Sequence, residues 1–329
     1  MDYHSIYQTE TPEFLLRLCL TPPLRRLADV GMNCGCEYTD FPRFAGIGRY
    51  SRLEHSLGAA LIVWRFTSDA AQSVSALLHD IATPVFAHVV DFLRGDYLEQ
   101  TATESGTARL IRADAALGAA LRALGLDEAE VEDYHRYPVA DNDAPRLSAD
   151  RLDYTCGNAV NFSLASREEL SALLDDLRVG RNEYGETELV FRHGEEAARF
   201  ASIALDCSRI YVCDADRYAM QRLSELLRDA LAAGVLCERD LGSTERAVVG
   251  KLCADPAAAE EWRAFRALSR TERADMPDGR KGWRKISAKR RRIDPFVAGR
   301  GRASALDGAF GAALSAFMNE DHDYFVRGE

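Results

Sequence analysis

The sequence has no long hydrophobic run and few cysteines for its length, and each shortage excludes a class of protein. The longest unbroken apolar run is AALIVW at 59–64, far short of the roughly 20 residues that cross a bilayer. Residues 1–14 carry neither a basic leader nor an apolar core, so they do not resemble a secretory signal. Eight cysteines at irregular spacings are too few for a disulfide framework in 329 residues. We therefore expect a cytoplasmic protein without a membrane span.

Acidic residues outnumber basic ones, but the excess is unevenly distributed. The net charge is −11, from 52 acidic and 41 basic residues. Residues 280–302, the basic segment, contain ten lysines or arginines and one aspartate, so they carry +9 and the rest of the chain −20. An acidic surface repels nucleic acid, whereas the basic segment can contact the phosphates of a small molecule. A solvated face without a ligand is the alternative for this run of charge.

Helical periodicity dominates the chain, whose 47% apolar and 28% charged residues are typical of a globular protein. Alternating segments on either side of Gly185 predict one β-hairpin over residues 177–191. The basic segment predicts a further small strand or hairpin, with Trp283, Ile286 and Ile293 pointing inward. The sequence therefore predicts an all-α class, mainly helical, with minor β elements. We expect a core domain over 1–240 and a C-terminal helical and basic extension over 241–329 that packs on it.

Two histidines and two aspartates on separate amphipathic helices form a candidate ligand set for a metal. His55 lies in the first of these helices, and His79 and Asp80 lie in the last turn of the next. Asp150 lies in the first turn of a later helix, where the helix dipole stabilises a carboxylate. Two core histidines and two capping acids are the alternative. Because buried His and Asp side chains need partners, we favour one divalent metal, namely Mn, Fe, Co, Ni or Zn, with Mg as a further option.

Three sequence blocks around these residues resemble the HD-domain superfamily of metal-dependent phosphohydrolases. The first is Arg-x-x-His-Ser-x-Gly at 52–58, the second is His79-Asp80 followed by Phe86 and His88, and the third is Asp-Arg-x-Asp-Tyr at 150–154. Their order is far more specific than a His-Asp pair alone. The likeness is greatest to the deoxynucleoside triphosphate triphosphohydrolase branch. It implies a helical HD-domain fold, hydrolysis of a nucleotide such as a dNTP or of a related phosphate ester, and a homo-oligomer.

The resemblance also implies roles for side chains beside the ligands. Arg52 matches an arginine that contacts substrate phosphate, so it is both a catalytic and a substrate-binding candidate; an ion pair with Glu54 is the alternative. Core packing is the alternative for Tyr154, and an ion pair for Arg151. The other substrate-binding candidates that the resemblance gives are Arg151, Asp153, Tyr154 and Asn158.

Histidines that serve as acid or base in the triphosphohydrolases are missing from this chain. Thr83 replaces the second histidine of His-Asp-x-x-His, and Thr103 and Glu104 occupy the place of a histidine near a glutamate. A threonine hydroxyl cannot replace an imidazole as a proton donor near neutral pH. Proton transfer is therefore assigned to His88 and Glu104, with His135 as a further candidate. A satisfied core histidine is the alternative for His88.

Two other functions stay open at this point. A mixed-valent di-iron oxygenase of HD type needs additional histidine ligands between the His-Asp pair and Asp150, where only His88 and His135 are available. A sensor that keeps the metal and binds a nucleotide without turnover would fit the two changes from histidine to threonine. We favour the phosphohydrolase, because the predicted ligands suit one metal beside a phosphate-binding arginine.

Overall fold

The fold is that of a computed structural model, which describes residues 4–8, 10–95, 106–287 and 289–329. Helices make up most of the described chain, and this confirms the predicted class. No helix of the described residues has both the length and the apolar character that a membrane span requires. The α-helices are α1 (Glu13–Cys19), α2 (Pro22–Leu27), α3 (Arg52–Thr67), α4 (Ala70–Leu78), α5 (Val89–Arg94), α6 (Thr107–Ala113), α7 (Ala115–Ala123), α8 (Glu128–Val131), α9 (Ala149–Asn161), α10 (Arg167–Asp175), α11 (Gly194–Tyr211), α12 (Asp214–Ala232), α13 (Glu238–Leu241), α14 (Glu245–Ala254), α15 (Pro256–Arg266), α16 (Ala303–Leu306) and α17 (Gly308–Met318).

Short strands form two small sheets at the edges of the helical body. The strands are β1 (Leu177–Arg181), β2 (Thr187–Phe191), β3 (Thr271–Ala274), β4 (Arg284–Lys285), β5 (Phe296–Val297), β6 (Gly301–Arg302) and β7 (Phe325–Gly328). Strands β1 and β2 pair antiparallel, which confirms the predicted hairpin, and the sheet order is β1-β2-β5-β6. The second sheet has the order β3-β7-β4.

The basic segment has less regular structure than its alternation predicts. Its strands are limited to the short β4, β5 and β6, and the residues between β4 and β5 that the structure describes have no strand. Ile286 and Ile293 are buried as predicted, but Trp283 is half-exposed. The Trp283 indole donates to Asp278, and the Arg280 guanidinium lies over its ring. Trp283 is thus only partly buried and makes contacts with an acidic and a basic side chain, so its inward placement is confirmed only in part.

The apolar core consists of two clusters. The first includes Leu61 of α3, Leu77 of α4 and Leu152 of α9, and the second lies around α5, α12, α14 and α15. Residues beyond 240 contribute to both, since Ile293 belongs to the first cluster and Ile286 to the second. The division at residue 240 stays a prediction.

The ends of three helices determine where the predicted metal ligands lie. A capping box between Ser51 and Glu54 begins α3, so His55 lies in its first turns. Helix α4 ends at Leu78, and its C-terminal boundary places His79 directly after the last turn. The Ser148 hydroxyl accepts from the Arg151 N–H and begins α9, as the sequence predicts. Three helix termini therefore bring their polar side chains to one place.

Helix α5 begins later than the apolar run 85–93 predicts. Phe86 and Ala87 have φ values of 56° and 46°, a left-handed conformation that a right-handed helix excludes. The helix consequently begins at Val89, with His88 as its N-terminal flanking residue.

Candidate active site

The four predicted metal ligands come together where α3, α4 and α9 meet. The His55 Nε2 atom lies 3.0 Å from Asp150 Oδ1 and 3.2 Å from His79 Nε2. His79 Nε2 lies 3.6 Å from Asp150 Oδ1 and 3.7 Å from Asp80 Oδ2, which is 3.9 Å from His55 Nε2. Two atoms that each lie about 2.1 Å from one ion are about 3.0 to 3.4 Å apart as neighbours in octahedral or tetrahedral sites. The ligand atoms of His55, His79 and Asp80 all lie within 4.8 Å of one another and could hold one cation, and Asp150 adjoins this group through the two histidines.

Hydrogen bonds at Nδ1 of His55 and His79 direct Nε2 of each ring toward the other candidate ligands. His79 Nδ1 donates to the Ala76 carbonyl at 2.7 Å, and His55 Nδ1 donates to Asp153 Oδ2 at 2.8 Å. When His55 is neutral, both rings present Nε2 lone pairs 3.2 Å apart, an arrangement that is repulsive unless a cation lies between them. A carboxylate or carbonyl behind the ring is the usual support of a metal-binding histidine. The residues present therefore fit a divalent metal.

The electrostatics of the ligand cluster favour bound positive charge. Burial lowers the pKa of His55, but hydrogen bonds to Asp150 and Asp153 outweigh burial and raise it to about 10. Burial raises the pKa of Asp80, yet Arg52 and the two imidazoles hold it well below its usual range. The pKa of Asp150 is lowered in the same way, chiefly by His55 against burial. Near neutral pH the metal-free site thus has anionic carboxylates and a proton on His55 that a metal ion can replace.

Asp153 lies behind His55 and is fully buried. Besides the His55 ring, it accepts a hydrogen bond from the Tyr50 hydroxyl at 2.7 Å. Gly58 makes room for it, because a methyl group there would come within 1.8 Å of Asp153 Oδ1. The residues that line the cavity beside the ligands do not include Asp153. Substrate contact stays a prediction for this residue, and its position suits it to orienting His55.

Both oxygens of Asp80 are engaged by neighbouring side chains. Oδ2 accepts from Arg52 Nη1 at 2.8 Å, and Oδ1 accepts from the Thr83 hydroxyl at 2.7 Å. Thr83 is fully buried, and its hydroxyl lies where it can fix the orientation of Asp80. Glu54, the alternative partner of Arg52, instead closes the capping box with Ser51.

The ligand cluster opens into a cavity of about 210 Å³. Arg52, Lys289 and Arg291 bring positive charge to its wall, the last two from the basic segment. The apolar and aromatic part of the lining is formed by Met32, Phe44, Phe92, Tyr134, Tyr154, Phe162, Tyr211 and Met220. One cavity thus combines metal ligands, cationic groups and flat rings.

Tyr154 and Asn158 lie on the cavity wall, as substrate-binding residues would. The Tyr154 ring meets Tyr211 edge-on, with centroids 6.4 Å apart. Asn158 Nδ2 donates to the Tyr211 hydroxyl at 2.8 Å. Its buried Oδ1 has no hydrogen-bond partner within the described chain.

Arg151 is absent from the described lining of the cavity. Its guanidinium donates to Asp141 at 3.0 Å and to the Ser148 hydroxyl at 2.9 Å, beside the start of α9. This is the ion pair that was the alternative for Arg151. Glu104 and Thr103 lie outside the described residues.

His88 lies on the cavity wall, but its hydrogen-bond partners are not metal ligands. Its Nδ1 lies 2.9 Å from Asp91 Oδ2, and its Nε2 lies 3.2 Å from Arg291 Nη2. Burial, reinforced by Arg291, lowers the pKa of His88 to about 4 despite the bond to Asp91. Neither the buried Asp91 nor Arg291 was predicted at this position. The sequence offered no signal for Arg291 beyond the local excess of positive charge.

A second group of possible metal ligands lies on the surface. Asp176, His193 and Glu196 have ligand atoms within 4.8 Å of one another. Asp176 already accepts from the backbone N–H groups of Arg192 and His193 at the start of α11. Asp176 therefore caps the start of α11.

Comparisons with known proteins point to the class of chemistry that the sequence predicts. No family model matches the chain. The metal-dependent phosphohydrolase cns2 of Cordyceps militaris is 29% identical over 272 residues, which cover 78% of this chain and 74% of that protein. The uncharacterized protein YdhJ of Bacillus subtilis is 26% identical over 205 residues, 61% of each.

A crystal structure of a phosphohydrolase from Bacteroides thetaiotaomicron has a TM-score of 0.65 to this chain at 14% identity. The match covers 97% of this chain and 96% of that one, so the two share a fold along their whole length. The likeness to the solved structure shows the fold, and the name of the fungal relative supports hydrolase activity. The triphosphohydrolase branch stays a prediction.

Proposed function

We propose that this chain is a metal-dependent phosphohydrolase that cleaves a phosphate ester or anhydride of a nucleotide or related small molecule. One divalent transition metal is held by His55, His79, Asp80 and Asp150. The convergence of two imidazole Nε2 atoms and two carboxylates beside a cation-lined cavity carries the proposal. The name of the fungal relative supports it independently.

The bound metal supplies a Lewis acid that polarises a phosphoryl oxygen and lowers the pKa of water. The protein's own groups bind and orient the phosphate. Asp80 holds the Arg52 guanidinium at the cavity wall, and Arg52 Nε has no hydrogen-bond partner within the described chain. A planar guanidinium matches two phosphate oxygens at once. Lys289 and Arg291 add positive charge, which an otherwise acidic chain needs to attract a polyanion.

The remainder of the lining suits a flat ring. Tyr154, Tyr211 and Phe162 present aromatic faces or edges, and stacked or edge-to-face rings attract each other beyond simple burial. The unused Asn158 oxygen can accept a hydrogen bond from a hydroxyl or amino group. A nucleotide has a phosphate, hydroxyls and a ring, so it satisfies all three kinds of group. Glu104 stays a predicted proton donor from the sequence.

A screen of metals and substrates tests this proposal. The protein is stripped of metal, reloaded with Mn, Fe, Co, Ni, Zn or Mg, and supplied with nucleoside mono-, di- and triphosphates. We expect release of phosphate, pyrophosphate or triphosphate with one metal per chain, and none from Asp80→Ala. His193→Ala is the matched control, because it removes an imidazole whose ring is largely exposed and bonds Asp176.

The same screen separates the rival functions. Tight nucleotide binding without release of any phosphate species would replace the hydrolase with a sensor. Two irons per chain together with oxygen consumption would replace it with a di-iron oxygenase. Absence of metal from the wild-type protein would overturn the ligand assignment itself.

A further inference from the structure

We infer that His88 is a positioning residue, which together with Asp91 holds Arg291 on the cavity wall instead of donating a proton to the substrate. The inference depends on the proposed function only in that the ligand of Arg291 is a phosphate group. It also assigns a phosphate-binding role to Arg291, a side chain of the basic segment.

The direction of each hydrogen bond in this chain of three residues follows from chemistry. His88 Nδ1 lies 2.9 Å from Oδ2 of the buried Asp91, and a carboxylate oxygen accepts, so Nδ1 carries the hydrogen of this contact. In a neutral ring the other nitrogen is then an acceptor. Arg291 Nη2, 3.2 Å from His88 Nε2, can only donate. The order is therefore Arg291 to His88 to Asp91.

This order conflicts with a role for His88 as general acid. A general acid carries a hydrogen on the nitrogen that faces the substrate, whereas here that nitrogen accepts from Arg291. Protonation of Nε2 would place an imidazolium against a guanidinium. Burial and that neighbour already lower the pKa of His88 to about 4, so only about one ring in a thousand is charged at neutral pH.

The surrounding packing presents Arg291 to the cavity and directs its neighbour elsewhere. Ile286 and Ile293 anchor the segment in the core on either side of Arg291. Arg290 donates to the Glu320 carbonyl near the C-terminus and is absent from the described lining of the cavity, which includes Arg291. The phosphate contact first expected of the whole arginine run is therefore assigned to Arg291.

A neutral imidazole suits this task better than a carboxylate would. An ionised carboxylate in direct contact with Arg291 would offset part of its positive charge, as Asp80 does for Arg52. His88 accepts from one N–H group without neutralising the guanidinium, while the carboxylate of Asp91 lies one ring farther away. Arginine has five N–H donors, so one guanidinium can bind an imidazole and a phosphate oxygen at the same time.

Phosphate affinity in a double-mutant cycle tests the inference. Inorganic phosphate is titrated into metal-loaded wild type, His88→Ala, Arg291→Ala and the double variant by calorimetry. We expect about tenfold weaker binding in each single variant and no further loss in the double, because the two residues act as one unit. With any hydrolysed substrate, KM should rise by a similar factor while kcat changes much less.

Two further variants separate positioning from acid catalysis. His88→Gln supplies an acceptor for Arg291 but no titratable group, so it should restore phosphate affinity and retain kcat. Arg290→Ala is the matched control and should bind phosphate like wild type. Thermal melting confirms that each variant is folded, and His88→Gln carries the test if His88→Ala is not.

Three results would overturn the inference. These are additive losses in the double variant, unchanged phosphate affinity in His88→Ala, and a kcat at least about a hundredfold lower in His88→Gln with loss of the basic limb of the pH profile. Failure of the wild type to hydrolyse any substrate would instead refute the proposed function, because phosphate binding is measured without turnover.

Discussion

His55 and His88 are two buried histidines that share one feature and differ in another. Each has an aspartate at its Nδ1, Asp153 at 2.8 Å and Asp91 at 2.9 Å. At Nε2, however, His55 faces Asp150, whereas His88 faces Arg291. Burial opposes charge on both rings, yet the pKa of His55 is raised to about 10 and that of His88 is lowered to about 4.

The difference shows that an aspartate at Nδ1 does not by itself determine the role of a histidine. The Nδ1 aspartate orients the ring in both cases, and the partner at Nε2 decides what the ring can do. Beside carboxylates and a second imidazole, the His55 nitrogen is suited to bind a cation. Beside a guanidinium, the His88 nitrogen holds a cation that belongs to the protein. Variants that change one region and not the other can separate the two roles.

Removal of a metal ligand should give the largest effect. In His79→Ala or Asp80→Ala, an imidazole or a carboxylate is lost from a set of four, so we expect no stoichiometric metal and at least a thousandfold lower hydrolysis, about 4 kcal/mol in the barrier. Metal content per chain and phosphate release measure this. His88→Ala should keep its metal, and loss of metal there as well would remove the distinction between the two regions.

Removal of the negative charge behind each histidine should give the next largest effect. Asp153→Asn weakens the support of His55, and we expect metal affinity to fall about 10- to 100-fold. Asp91→Asn should leave metal affinity near the wild-type value and weaken phosphate binding instead. Competition with a chelator and phosphate calorimetry measure the two quantities. Equal loss of metal in both variants would contradict the assignment of Asp91.

Metal affinity should also depend on pH through His55. In the metal-free protein the pKa of His55 is about 10, so His55 is protonated at neutral pH and a binding metal must displace that proton. Apparent affinity should therefore rise about tenfold per pH unit between pH 7 and 8.5, with about one proton released per metal. Calorimetry in buffers of different ionisation enthalpy counts that proton. A pH-independent affinity would show that His55 is neutral before metal arrives.

The ligand cluster could be predicted from sequence because local signals place its members. His55 lies in the turn that a capping box begins, His79 and Asp80 directly follow a helix that ends before Pro84, and Asp150 lies at the start of a helix that Ser148 caps. Each position is determined within a few residues of chain. The mainly helical class and the β1–β2 hairpin follow from periodicity in the same way.

The supporting groups could not be predicted, because they depend on packing between distant parts of the chain. Asp153 lies one turn after Asp150 on α9, the His55 ring bonds both carboxylates, and Gly58 leaves the space that the Asp153 carboxylate occupies. Arg291 is 203 residues from His88 and lies in a run of arginines without periodicity. Nothing local to that run distinguishes the arginine that faces the cavity from its neighbours.

We expect the smallest effect from substitution of Thr83. This variant distinguishes orientation of a metal ligand from proton transfer. Its hydroxyl donates to Asp80 Oδ1 at 2.7 Å, on the opposite carboxylate oxygen from Arg52. Thr83→Ala removes one buried hydrogen bond of about 1 kcal/mol, so we expect metal affinity to fall about fivefold and the pH profile of kcat to keep its shape. Thr83→Ser, which keeps the hydroxyl, should restore the affinity. Loss of a titrating limb in Thr83→Ala, measured as kcat against pH, would mean that the threonine takes part in proton transfer.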